Sequence, residues 1–160
     1  MINVLFVCLG NICRSPLAEG VFMHQVYSRN LGNLFRSDSA GTASYHIGKL
    51  ADQRSIAVAL AYGIELNHKA RAFTLNDFYA FDYIVAMDRQ NQKDIQRLEP
   101  ADAKAKVVLM RDYDSEQKGG EVPDPYYGEH KDFEEVYRIL DRSCAALLHE
   151  LTGDRLIDHS

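Results

Sequence analysis

The sequence predicts one α/β domain over residues 1–160, a four-stranded parallel sheet with helices on both faces. Three observations carry that expectation. Short apolar, β-branched runs alternate with longer stretches of helical periodicity, the pattern of strand–helix–strand units. The clearest helical stripe closes the chain, with Phe133, Val136, Leu140, Cys144, Leu147 and Leu151 spaced by three and four residues. The length of 160 residues, with 46% apolar and 26% charged residues, suits a single hydrophobic core and leaves little room for a second.

Taken in order, Val4–Val7 reads as a buried strand that runs out at the turn signal Gly10-Asn11. Ser15-Pro16 then opens a helix, with Ser15 as cap, Pro16 at the first helical position and Glu19 complementing the helix dipole. Leu17, Val21 and Val26 form its apolar stripe. A second strand is expected over Phe35–Ala40. A helix over Asp52–Tyr62 packs Ile56, Leu60 and its alanines and ends at Gly63. Tyr83–Met87 is the third strand, Gln90–Leu98 a short helix before Pro100, and Lys106–Met110 the fourth strand. The segment 111–130 holds Gly119-Gly120, Pro123 and Pro125, a long loop of the kind that is usually functional. Gly153 is expected just past the end of the closing helix. Cys144, on the apolar stripe of that helix, reads as core packing.

Composition excludes several classes of partner. A net charge of -5 provides no basic footprint for nucleic acid or an anionic membrane surface. No apolar run approaches the roughly 20 residues of a membrane span. The N-terminus has no secretory-leader pattern, and three cysteines make an odd number, so reduced thiols and a cytoplasmic location are expected.

The chemistry concentrates between the first strand and the first helix, in Cys8-Leu9-Gly10-Asn11-Ile12-Cys13-Arg14-Ser15-Pro16. Open α/β sheets bind ligands at the carboxyl ends of their strands. A loop there turns several backbone N–H groups inward, and with the positive end of the helix dipole they make an anion site. Thiolate is the reactive form of cysteine, and helix N-termini and guanidinium groups favour it. Arg14 adds a planar fork that grips two oxygens of a phosphate at once. A nucleotide phosphate loop would need two glycines and a Gly-Lys-Ser/Thr ending, which are absent. A thioredoxin-like centre would need two residues between its cysteines, whereas four separate Cys8 from Cys13. Zinc would lack a second pair of ligands nearby, so no metal and no other cofactor is expected.

The Cys-x5-Arg-Ser-Pro loop near the N-terminus and Asp124-Pro125-Tyr126-Tyr127 near the C-terminus closely resemble those of the low-molecular-weight protein tyrosine phosphatases. Weaker matches at Asp38-Ser39-Ala40, Asn67-His68-Lys69-Ala70-Arg71 and Ala86-Met87-Asp88 extend the resemblance over nearly the whole chain. It implies a metal-independent phosphotyrosine phosphatase with Cys8 as nucleophile, Arg14 on the phosphoryl group and Asp124 as general acid. Leu9, Gly10, Asn11, Ile12, Cys13 and Ser15 would complete the phosphate-binding loop, with Ser15 placed to hydrogen-bond the leaving sulfur. Asn11 would be held by Ser39 and His68, and Asp88 would orient Arg14 if it is not simply a helix cap. Ile12, Tyr45, Tyr126 and Tyr127 would wall the substrate cleft. Cys13 would form a reversible protective disulfide with Cys8, or else merely pack; Asp38 is read as structural. Expected partners are phosphotyrosine-containing proteins and a cognate tyrosine kinase, and the expected assembly is a monomer or weak dimer.

Alternatives remain at this level. Arsenate reductases share the fold and loop but relay electrons through further thiols, and here the only cysteine outside the loop is Cys144. Protein-arginine phosphatases carry Thr where Ile12 stands. A pure phosphoprotein-binding module would not need both an activated thiol and a carboxylic acid, and rapid multiple turnover on an aryl phosphate would exclude both it and a cysteine phosphocarrier.

Overall fold

A computed structural model describes the backbone of residues 1–158 and the side chains of residues 1–153. Its elements, in chain order, are β1 (Ile2–Cys8), α1 (Arg14–Ser28), β2 (Phe35–Gly41), α2 (Gln53–Ala61), α3 (Asp77–Ala80), β3 (Tyr83–Ala86), α4 (Arg89–Gln96), β4 (Lys106–Leu109), a 3₁₀ turn (Met110–Tyr113) and α5 (His130–Asp158). All four strands are parallel, in the order β2-β1-β3-β4. The chain leaves β1 to build β2 on one side and returns to build β3 on the other. Such a reversal of strand order opens a crevice at the carboxyl end of β1, where Cys8 stands.

β1 is a central strand, and its residues from Val4 to Cys8 are all buried, as a parallel strand covered on both faces requires. The two-residue strand period divides them. Val4, Phe6 and Cys8 join the core built with α1 and α5, where Leu17, Phe22, Phe133 and Leu140 pack. Leu5 and Val7 join a smaller core on the opposite face with Phe78, Ile84 and Ile95. Cys8 therefore lies on the α1 side of the sheet, facing the start of that helix.

Several boundaries differ from expectation. α1 begins at Arg14 with Cys13 as its N-cap residue, and no side chain caps it. Ser15 is turned instead toward Cys8, and Glu19 lies beyond the first turn, aimed at β2. In α2 the packed residues are Ser55, Val58 and Ala59, while Leu60 is 57% exposed, because the inward face of this helix falls one residue earlier. α3 and the 3₁₀ turn, each four residues long, are too short to show a period. α5 runs through Gly153, which does not adopt a positive φ and so does not end the helix. Cys144 is fully buried, and its thiol donates to the Ala18 carbonyl at 3.8 Å, as core packing predicts.

Candidate active site

The segment Leu9–Cys13 joins β1 to α1 in five residues and turns back toward the Cys8 sulfur. Asn11 makes the turn with φ of 57°, in the left-handed region that asparagine tolerates better than most residues. Its N–H then points back at Cys8 Sγ, 3.3 Å away. The N–H groups of Gly10, Ile12 and Cys13 have no acceptor among the described residues, which leaves donors for an anion at the start of α1. Gly41, paired with Cys8, has no room for a side chain. A Cβ there would stand 2.8 Å from the Leu9 carbonyl.

The direction of the hydrogen bonds around the sulfur follows from the Asn11 side chain, which is buried at 1% exposure. Its Oδ1 accepts from Arg71 N (3.0 Å) and faces His68 Nε2 (2.8 Å), so that ring nitrogen donates. With the oxygen so assigned, Nδ2 donates to Ser15 Oγ (2.8 Å) and Ser39 Oγ (3.0 Å). The Ser39 hydroxyl in turn donates a hydrogen bond to Glu19 Oε1 at 2.7 Å. The remaining Ser15 proton has Cys8 Sγ at 3.0 Å and the Ala40 carbonyl only at 3.5 Å. Two donors thus converge on the sulfur, an arrangement that suits a thiolate acceptor.

Arg14 is 3% exposed and held from two sides, donating from Nη1 to Asp88 Oδ2 at 2.8 Å and to the Val122 carbonyl at 3.0 Å. Asp88 fills both roles weighed for it, since its Oδ1 caps α4 by accepting from Asn91 N at 2.7 Å. Burial works against the Arg14 charge, but Cys8, Asp88 and Asp124 outweigh it and raise its pKa above the ordinary value. Nη2 faces Asp124 Oδ2 at 3.8 Å, with the Asp124 side chain half exposed and its Oδ1 accepting from Tyr126 N at 3.1 Å.

Cys8, Leu9, Gly10, Ile12, Cys13, Arg14, Tyr45, Asp124, Tyr126 and Tyr127 line one cavity of about 320 Å³, joined by His46. Its mouth is aromatic. His46 stacks on Tyr126 with centroids 6.3 Å apart, and Tyr126 meets Tyr127 edge-on at 5.0 Å. The expected catalytic and cleft residues and most of the loop therefore surround one space, while Asn11 and Ser15, both buried, sit behind its wall with Ser39, His68 and Asp88. Cys13 is a free thiol pushed up to about 12, chiefly by burial and then by Asp52, Cys8 and Asp124.

Behind Asn11 lies a polar cluster that no sequence motif announces. His68 Nδ1 lies 3.3 Å from Asp38 Oδ1 and 3.5 Å from Glu19 Oε1, and Arg71 bridges Asp38 to the buried Asp77. Because Nε2 is committed to Asn11, Nδ1 and the two carboxylates need a proton between them. Burial pushes Glu19 up to about 7, with Asp38 adding and the Ser39 hydrogen bond and Arg71 opposing. Burial also pulls His68 below its ordinary value against Asp38. Asp38 is thus more than structural filler. The three ligand-type atoms of Glu19, Asp38 and His68 lie within 4.8 Å of one another, but these same groups pair with each other and with Arg71.

A family model described as low molecular weight phosphotyrosine protein phosphatase matches residues 3–156. The chain belongs to that family. It is similar to the low molecular weight phosphotyrosine protein phosphatase of Gallus gallus, 47% identical over 150 residues that cover 92% of this chain and 94% of the relative. The protein of the same name from Homo sapiens is 45% identical with the same coverage. Among solved structures, a protein tyrosine phosphatase from Entamoeba histolytica with Hepes in its active site superposes with a TM-score of 0.92. It is 41% identical, and the match covers 97% of this chain and 99% of that one. The family fold is therefore the single-domain parallel sheet described above. Among the described residues, no helix is long and apolar enough to cross a membrane.

Proposed function

We propose that this protein is a protein-tyrosine-phosphatase that hydrolyses phosphotyrosine, and small aryl phosphates, through a phosphocysteine intermediate without a metal ion. The single observation that carries the reading is the convergence of the Asn11 N–H and the Ser15 hydroxyl on Cys8 Sγ, in a cavity that also presents Arg14 and Asp124. In the first step the Cys8 thiolate attacks phosphorus and the bond to the tyrosyl oxygen breaks. Asp124 supplies the proton that the leaving oxygen takes. In the second step water attacks the phosphocysteine, Asp124 takes a proton from that water, and the Ser15 hydroxyl stabilises the sulfur as it leaves. Arg14 and the inward N–H groups hold the equatorial oxygens, which is where phosphoryl transfer needs its stabilisation.

Ile12, Tyr45, Tyr126 and Tyr127 supply apolar contact for an aryl ring, and the chain length of tyrosine lets its phosphate reach the sulfur past that rim. The substrates in this reading are phosphotyrosine-containing proteins in the cytoplasm, a cognate tyrosine kinase among them, and the three free thiols suit a reducing compartment. An arsenate reductase would need a second accessible thiol relay, whereas Cys144 is sealed in the core, its pKa driven far up by burial. Kinetics on phosphotyrosine, phosphoserine, phosphoarginine and arsenate, with a chelator present, test the assignment. Phosphotyrosine turns over fastest, Cys8→Ser is inactive, and Asp124→Ala accumulates phosphocysteine. Turnover that requires a metal, or that survives in Cys8→Ser, refutes it.

A further inference from the structure

The acid-bearing segment from Pro123 to Gly128 has no regular structure, yet general acid catalysis depends on placement to within about 1 Å, an error that size costing about 100-fold. Its internal hydrogen bonds are short-range, from Tyr126 N to Asp124 Oδ1 and from Gly128 N to the Pro125 carbonyl. The Arg14–Asp124 contact, at 3.8 Å, is too long for a hydrogen bond. Among the described residues, both hydrogen bonds that tie this segment to another element come from one side chain. Arg54 donates from Nη2 to the Tyr126 carbonyl at 2.9 Å and from Nη1 to the Gly128 carbonyl at 3.2 Å.

Arg54 is itself fixed. Asp52 accepts from its Nε and its Nη2, each at 3.0 Å, and the guanidinium lies 4.4 Å from the ring centroid of buried Phe133. Asp52 in turn donates its backbone N–H to the Ile12 carbonyl at 2.8 Å, and Ser55 Oγ donates to the Cys13 carbonyl at 3.3 Å. The start of α2 therefore grips the nucleophile loop with its backbone and the acid loop with a guanidinium.

On the phosphatase reading proposed above, we infer that Asp52 and Arg54 are positioning residues that clamp the two loops together and hold Asp124 at proton-transfer distance from the leaving oxygen. Arginine suits the task because its planar fork serves a carboxylate along one edge while its remaining N–H groups reach two carbonyls. A lysine ammonium cannot span all of these acceptors.

The test compares kcat/KM for phenyl phosphate, whose basic leaving oxygen depends strongly on a proton, with 4-nitrophenyl phosphate, whose nitro-stabilised leaving oxygen depends on it much less. Arg54→Ala is expected to lower kcat/KM on phenyl phosphate by about 30-fold, a partial loss of the roughly 100- to 10,000-fold that positioned proton transfer supplies, and on 4-nitrophenyl phosphate by less than about threefold. Arg54→Lys follows the same pattern, and decides the matter should Arg54→Ala fail to fold. Asp52→Asn, which keeps the α2 cap, shifts in the same direction by less. In an Asp124→Asn background, adding Arg54→Lys changes the ratio between the two substrates no further. Equal losses on both substrates, an unchanged ratio, or a ratio that shifts again in the Asp124→Asn background would overturn the inference while leaving the phosphatase reading intact. Hydrolysis that survives in Cys8→Ser would instead overturn that reading and the inference with it.

Discussion

Replacing Asn11 separates what holds the loop together from what aims a proton at the sulfur. Asn11→Ala removes four hydrogen bonds and leaves two partly buried donors, His68 Nε2 and Arg71 N, without an acceptor. At about 1–3 kcal/mol for each stranded donor, plus about 1 kcal/mol for alanine at φ of 57°, the expected loss is about 3–7 kcal/mol. That is a large part of the total stability of a typical domain, about 5–15 kcal/mol. Asn11→Asp has nearly the same shape and keeps the acceptor for His68 and Arg71, but it cannot donate. Ser15 and Ser39 then turn their protons toward the new carboxylate, and Cys8 loses the donor at 3.0 Å. A hydrogen bond to a charged group is worth about 1.5–3 kcal/mol, so kcat should fall about 10- to 100-fold. Urea unfolding and aryl phosphate kinetics on both variants check this. The outcome expected is that alanine loses more stability than aspartate while both lose activity. Wild-type kcat in a well-folded Asn11→Asp protein would refute the assigned direction of the Ser15 proton, and an alanine variant within 1 kcal/mol of wild type would refute the accounting for the loop.

Three further perturbations have distinct outcomes. Arg14→Lys keeps a positive charge but cannot hold Asp88, the Val122 carbonyl and two phosphate oxygens together, so kcat/KM on aryl phosphates should drop by at least about 100-fold with a small change in melting temperature. Glu19, pushed up to about 7 from the usual 4.5, binds a proton in the folded state that the unfolded chain has released. Stability should therefore fall as pH rises from about 4.5 to 7, by at most about 3 kcal/mol and partly offset by His68, whose shift acts in the opposite sense. Glu19→Gln should flatten that fall in urea titrations at pH 5 and 8, and parallel profiles would count against a buried protonated Glu19. Asp114, buried between Arg111 and Arg142, is held down to about 2. It should contribute about 2 kcal/mol at neutral pH that is lost as pH falls from about 4 toward 2. Asp114→Ala should cost about 3 kcal/mol at pH 7 by stranding the buried Arg111 charge, measured by denaturant unfolding.

The features readable from the sequence are those whose cause is local. Val4–Val7 is apolar at every position because a central parallel strand is covered twice, and the α5 stripe repeats because a helix presents one face to the sheet. Cys8 and Arg14 stand out because a thiol and a guanidinium with five residues between them, where a strand gives way to a helix, have few other uses. Asp88 after a strand carried both of its readings in advance, cap and Arg14 partner, and both hold.

Other features depend on partners far away in the chain, and no window of sequence contains them. Ser15 looks like a helix cap until Asn11 and Cys8 claim its hydroxyl, and Glu19 looks like a dipole partner until β2 brings Ser39 against it. Arg54 is an ordinary helical arginine until the fold brings the Tyr126 and Gly128 carbonyls to its fork, 72 and 74 residues on. Leu60 and Gly153 went the other way, since the packing face of α2 and the continuation of α5 are set by neighbours rather than by spacing. The sheet, the strand-to-helix loop around Cys8 and the type of chemistry were thus legible in the sequence, because backbone propensity and a short motif suffice for them. The donors that converge on the Cys8 sulfur and the grip on the Asp124 loop could be seen only in the folded chain, because hydrogen-bond direction and long-range contact do not exist before it forms.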